Sequence, residues 1–224
     1  MKVHNNLIFL ILVFIFSISV NSQELSPDSL NNAINRNIDF EMSNALASSP
    51  VLSKYVAIIK LNDEKEKYNK IDSLLKNSYG PERFYILAYA CKISFNTNHY
   101  SKAKHYSEEL LKLSEIYKKD WNFGNAIHDG NMVLGRLSLL NNNISEAEDY
   151  LIKAGNTPGS PQLNTFGPNM SLAKDLLTIG QRQIVIKYFD LCSRFWSMGR
   201  EKIADWKKEI EKEKIPDFGA NLRY

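Results

Sequence analysis

The side chains able to do chemistry are thinly spread. His99, His105 and His128 include no pair four residues apart, and the chain has no CxxC and no HExxH, so the spacing that puts metal ligands on one helix face is missing. His128 stands beside Asp129, a pairing suited to acid–base work, yet no serine or cysteine nucleophile accompanies it. Three Ser-x-x-Lys stretches, Ser73–Lys76, Ser101–Lys104 and Ser171–Lys174, lack the companion elements of penicillin-binding enzymes. There is likewise no phosphate-binding loop and no GxSxG elbow. No catalytic residue, metal or cofactor is therefore expected. The polar feature with a pattern is a pair of asparagines, Asn131 and Asn169, which begin two similar stretches, Asn-Met-Val-Leu-Gly and Asn-Met-Ser-Leu-Ala.

Those stretches belong to an internal repeat. At the same offset Ala147 aligns with Val185, Tyr150 with Tyr188, Leu151 with Phe189 and Ala154 with Cys192, the spacings of one helical face. A fainter copy lies upstream, with Ala90-Cys91 in the slot of Leu134-Gly135, Ala103 over Ala147, Tyr106 over Tyr150 and Leu110 over Ala154. Each copy reads as two helices. In the middle copy the apolar pattern through Val133, Leu137 and Leu140 stops at Asn141-Asn142-Asn143, a run suited to a tight turn. A second helix then follows, with Ser145 and Glu148 placed as a capping box and Gly155 and Pro158 at its end. Cys91 and Cys192 fall in packing slots of different copies, and a bridge would need their Cα atoms within about 7 Å across an intervening unit. Two buried thiols are expected.

The middle copy resembles the tetratricopeptide repeat, whose pattern of a Leu-Gly pair, two small residues seven apart and a late proline is met by Leu134, Gly135, Ala147, Ala154 and Pro158. The third copy keeps Leu172, Ala173, Gly180, Val185 and Cys192, and the first mainly Ala103. The chain also looks like a member of an exported bacterial group ending in a Pro-Asp-Phe-Gly-Ala-Asn segment, here Pro216–Asn221. The resemblance implies an all-α fold, an α-solenoid of stacked antiparallel hairpins whose first helices line a concave face. On that face Asn131 and Asn169 would form a ladder, each amide offering donor and acceptor groups to an extended peptide. The competing reading puts Asn169 in an opening turn after Pro168, satisfying only its own helix end.

Between Gly155 and Pro168 the chain Gly-Asn-Thr-Pro-Gly-Ser-Pro-Gln-Leu-Asn-Thr-Phe-Gly-Pro exceeds what a hairpin connection needs, and its prolines with Leu163 and Phe166 predict an ordered loop packed on the array. Gln162, Asn164 and Phe166 are expected on one rim of the groove, with Trp121 and His128 near the other. The bland alternative is a spacer between two hairpins.

The ends complete the organisation. Lys2 and the apolar run Leu7–Phe16, followed by Asn21-Ser22-Gln23, form a signal-peptide pattern with cleavage expected after Ser22, so residues 1–22 are read as a leader and the remainder as exported to the periplasm or beyond. Residues 23–80 read as a helical lead-in with helices near Asp28–Ala47, Val51–Leu61 and Lys65–Asn77, residues 81–198 as the repeats, and residues 199–224 as a capping helix and tail. On that helix Ile203, Trp206 and Ile210 make one apolar stripe, and Phe218, Leu222 and Tyr224 suit a strap folded onto the last repeat. The 44% hydrophobic content excludes disorder, and two cysteines are too few for a small disulfide scaffold. With 28 basic against 25 acidic residues, and the basic run Lys202–Lys214 interleaved with Glu201, Asp205, Glu209, Glu211 and Glu213, nucleic acid is not an expected partner. The expectation is a non-catalytic protein that binds a protein or peptide in its groove. The alternatives are a hydrolase or small-ligand enzyme with a pocket between the 155–168 loop and His128-Asp129, and a structural subunit of an envelope assembly.

Overall fold

The computed structural model describes residues 49–222; the leader, the helix expected at 28–47 and Tyr224 lie outside them. The chain divides into two compact units, residues 1–57 and 58–224. Of the first, the described part is the opening of α1 (Pro50–Ile59), where Ser49 Oγ accepts from the Leu52 N–H. The second unit, among its described residues, is all-helical with no strand. It holds α2 (Glu64–Leu75), α3 (Gly80–Asn96), α4 (Tyr100–Ser114), α5 (Phe123–Leu140), α6 (Ile144–Gly155), α7 (Pro161–Phe166), α8 (Ser171–Thr178), α9 (Arg182–Phe195) and α10 (Arg200–Glu211). No helix among the described residues is long and apolar enough to cross a membrane.

The packing follows the apolar patterns. α4 buries Ala103, Tyr106, Ser107 and Leu110 along one stripe, which makes it a one-faced surface helix. α3 and α5 are apolar on most sides, and each is enclosed: α3 packs against α2, α4 and α5, and α5 against α3, α4, α6, α7 and α8. The repeat slots are core positions, since Ala103, Ala147, Ala154, Ala173, Val185 and Cys192 are fully buried. Both cysteines are buried free thiols; burial pushes the Cys91 thiol up to about 12 and raises that of Cys192 as well.

Two glycines of α5 permit its close contacts on different sides. A Cβ on Gly130 would stand 2.9 Å from Leu111 Cγ of α4, and one on Gly135 would stand 2.3 Å from Leu172 Cδ2 of α8 and 3.1 Å from Tyr150 Cβ of α6. A third, Gly124, is tighter still, because its Cβ would fall 1.8 Å from the Gly159 carbonyl oxygen. The loop therefore lies against the start of α5 backbone to backbone.

The cap of α6 corrects the expected box. The helix starts at Ile144, and Asn143, not Ser145, accepts from the Glu146 N–H, while Glu146 Oε2 takes bonds from Asn143 Nδ2 and from Ser138 Oγ. Asn142 takes the left-handed conformation, φ 58°, which turns the chain inside the asparagine run. The 155–168 segment is ordered and holds a short helix the sequence did not announce: Ser160 Oγ caps α7 at the Leu163 N–H, and Leu163 is buried. α8 begins at Ser171, two residues beyond Asn169.

The C-terminal strap is present through residue 222. α10 packs on α9 and buries Ile203, Trp206 and Ile210. Phe218, 1% exposed, meets the Trp206 ring edge-on at 4.9 Å between centroids, and Trp206 Nε1 donates to the Asp217 carbonyl. Phe189 and Trp196 complete this aromatic cluster.

These close approaches order two substitutions. Gly135→Ala meets the movable tip of a leucine and is expected to cost about 1–3 kcal/mol. Gly124→Ala meets backbone and should cost more. Urea unfolding of both variants checks the ranking, which fails if Gly124→Ala is the milder.

Candidate functional site

Two adjoining depressions lie on the second unit. The first, about 270 Å³, is walled by Asn125 and Asp129 of α5, by Gln162, Leu163 and Phe166 of α7, by Gly167, Pro168 and Asn169, and by Ala220 and Asn221 of the strap. The second, about 70 Å³, takes Phe95 and Asn96 from α3, Met132, Val133 and Arg136 from α5, Ser171 from α8, and Leu222. Lys92, Asp129 and Asn169 line both. The shared residues make the two depressions one groove across α3, α5 and the start of α8.

A buried polar chain underlies it. Asp129 Oδ2 accepts from Lys92 Nζ at 2.8 Å, and Asp129 Oδ1 lies 3.2 Å from His128 Nδ1. His128 Nε2 lies 3.1 Å from Tyr188 Oη, which donates to the Asn169 carbonyl at 2.9 Å. Burial opposes ionisation of Asp129, but the Lys92 ammonium and the His128 contact outweigh it and hold the carboxyl below the usual carboxylate range. A second ion pair sits farther along, where Arg136 Nε donates to Asp175 at 2.7 Å with its guanidinium 4.4 Å from the Phe95 ring centroid. Lys92 and Arg136 are 44 positions apart and reach the groove from α3 and α5. Each of these cations has a carboxylate partner.

The strap closes the first depression. Asn221 Nδ2 donates to the carbonyls of Phe166 and Pro168, and the Asn221 carbonyl accepts from the Met170 N–H. Gly167, at φ 88°, lies so close that a Cβ would stand 2.8 Å from Asn221 Nδ2 and 2.5 Å from the Trp196 ring. A larger residue there would lift the strap away. α7 is tied to α5 by Asn125, whose Nδ2 donates to Gln162 Oε1 at 3.0 Å and whose Oδ1 accepts from Ser160 Oγ at 2.6 Å.

Among the residues expected at the groove, Gln162 and Phe166 line the first depression, and Asn169 lines both. Asn169 also performs the local duty foreseen as its alternative, because its Oδ1 accepts from the Ser171 N–H. Asn131 lines neither depression: it is 5% exposed, and its amide donates to the Ile127 carbonyl one turn back. It stands two residues from Asp129 on α5, hence on another side of the helix, so the two asparagines form no ladder. Asn164 is exposed, its Oδ1 against Gly159. Trp121 stacks on Tyr85 at 5.7 Å. His128 is fully buried beneath the groove and is no rim residue.

Groove residues that the sequence reading does not single out include Lys92, Phe95, Asn96, Asn125, Arg136 and Asn221. On α5 a signal existed, since Asn125, Asp129, Met132 and Arg136 follow helical spacing. For Asn221 none did, because its contacts are more than fifty residues away in sequence. Among the described residues no cluster of three His, Cys, Asp or Glu side chains is placed to hold a metal ion. Comparison with family models, curated proteins and solved structures yields no match to this chain.

The Asp129 pair sets a pH dependence. A carboxyl held below its unfolded value stabilises the fold above the ordinary carboxylate pKa of about 4 and loses that contribution as pH falls through the depressed value. Asp129→Asn, which removes the carboxylate that faces Lys92 and His128, is expected to cost about 3 kcal/mol at neutral pH. The gap from wild type in urea midpoint should narrow below about pH 4; a gap independent of pH refutes the assignment.

Proposed function

We propose that this chain is an exported, non-catalytic helical-repeat protein that binds a polypeptide partner along its groove. In this reading α3/α4, α5/α6 and α8/α9 are three stacked hairpins of a tetratricopeptide-like α-solenoid, and α10 with the strap caps the last. The observation that carries the reading is the groove itself, to which the first helix of each of the three hairpins contributes side chains. The pairing pattern supports the stack: α5 packs on α3 and α8, and α6 on α9, which is first helix on first helix and second on second. Export rests on the leader pattern of residues 1–22.

The hydrolase reading has one observation in its favour, a pocket between the 155–168 loop and Asp129. Its acid–base residue is spent, however. Both ring nitrogens of His128 are engaged by Asp129 and Tyr188 under a fully buried ring, and Cys91 is a buried thiol with a raised pKa. The assembly-subunit reading needs an uncovered apolar edge after the last hairpin, and Ile203, Trp206 and Phe218 cover it.

A photo-crosslinking residue placed at Asn96 or Phe166, both exposed at the groove, should give partner adducts. The same residue at Lys112 or Asp149, exposed on α4 and α6, should give none. Adducts confined to α4 and α6 would move the binding face. In the producing cell the protein should begin at Gln23 by mass spectrometry; an intact Met1 end would remove the export claim.

A further inference from the structure

Three amide groups around the first depression have hydrogen-bonding capacity that the fold leaves unused. Their orientations are set by partners rather than by choice. Asn169 Oδ1 accepts from the Ser171 N–H, so Nδ2 is the other end of that amide, and among the described residues it has no partner. Asn169 is 6% exposed and lines the depression. Asn221, also 6% exposed, gives both Nδ2 hydrogens to the Phe166 and Pro168 carbonyls, and its Oδ1 is an acceptor with no partner among the described residues. Gln162 Oε1 takes the Asn125 bond, leaving Nε2 as a second donor. Asn221 bonds to Pro168 and Met170, the two neighbours of Asn169, so the two asparagines belong to the same wall.

A donor and an acceptor that the fold leaves open to a cavity are available to a ligand. Two such groups of opposite sense match one residue of an extended peptide, whose N–H and C=O point to the same side. The walls beside them are apolar, from Leu163, Phe166 and Pro168. Charge selects further. Lys92 and Arg136 are both bonded to carboxylates, so the groove offers no unpaired cation for an anionic end. The volume of about 270 Å³ falls below the roughly 300–1,000 Å³ of sites for whole drug-sized ligands, and it adjoins the second depression across their shared residues. That fits one residue of a longer chain.

We propose that the depression between Gln162, Asn169 and Asn221 is a reading site for an uncharged peptide segment: its backbone carbonyl accepts from Asn169 Nδ2 and Gln162 Nε2, its backbone N–H donates to Asn221 Oδ1, and an apolar side chain lies against Leu163 and Phe166. This rests on the groove being a polypeptide site.

The test uses the full chain and an array of random peptides acetylated at one end and amidated at the other, with fluorescence anisotropy on those selected. Asn169→Asp keeps the acceptor for Ser171 and removes the free donor. Gln162→Glu keeps the acceptor for Asn125 and does the same. Melting by circular dichroism establishes that each is folded, and either variant alone suffices. The expected result is selection of uncharged sequences with a large apolar residue, bound about tenfold more weakly by each variant and within about twofold of wild type by Lys112→Ala, on the exposed face of α4 away from the groove. Selected peptides bound equally well by the donor variants overturn the assignment to this depression while leaving a peptide-binding groove in place. Selection that requires an acidic residue, or a free carboxylate when uncapped peptides are added, overturns the neutral-backbone chemistry. If wild type selects no peptide, the polypeptide reading falls and this proposal with it.

Discussion

The arrangement of the second unit turns on one buried carboxylate. Asp129 is 5% exposed, and removing a charge from water costs several kcal/mol unless partners replace the solvent. Two partners replace it, and a third residue continues the chain. Lys92 reaches it from α3, His128 from its own helix, and Tyr188 extends the chain from α9 to the Asn169 carbonyl ahead of α8. Satisfying the carboxylate therefore sets the register of α3 against α5 and anchors the entry to α8. Gly130, the next residue, lets α4 close on the other side, so a polar requirement and a steric one act on adjacent positions of the same helix.

The second requirement is that a long connection be held down. The 155–168 segment is short of apolar residues for its length, yet it is ordered, and the reason is a set of cross-ties. Thr157 donates to the Gly124 carbonyl, Ser160 to Asn125, and Asn221 to Phe166 and Pro168. The strap that carries Asn221 is itself fixed by Phe218 within the aromatic cluster around Trp206. Thus the last residues of the described chain form a wall of the depression that the middle residues open. Loss of the strap would expose apolar surface and unpair two carbonyls at once.

What the sequence disclosed and what it withheld divide along a physical line. Periodic apolar spacing reports burial, so the helices near 65–77 and 200–214, the core slots at Ala147, Ala154 and Cys192, and the apolar strap were legible. Hydrogen-bond partners distant in sequence leave no such trace. Asn131 and Asn169 align in the repeat, but alignment at one offset does not specify which side of a helix faces open space, and the Asn131 amide turns back to Ile127. The α6 cap was displaced by two residues because Asn143, Ser145, Glu146 and Glu148 offer two overlapping boxes, and the added bond from Ser138 to Glu146 decides between them. Helix α7 leaves no signal in the sequence because a six-residue helix between prolines carries too little periodicity to register.

Neutrality is the property of the groove with the widest consequence. The two cations at the groove, Lys92 and Arg136, are paired with Asp129 and Asp175; paired charges hold helices together and attract little. For the proposed peptide, what remains is amide and apolar surface. A net hydrogen bond contributes about 0.5–1.5 kcal/mol, so three amide contacts fall well short of the roughly 8 kcal/mol of a micromolar complex. The difference has to come from apolar burial at about 25 cal/mol per Å², and the half-exposed faces that offer it, Phe166 at one end and Phe95 at the other, lie in different depressions. A ligand confined to one depression is therefore held weakly, and useful affinity requires a chain long enough to cross the ridge made by Lys92, Asp129 and Asn169.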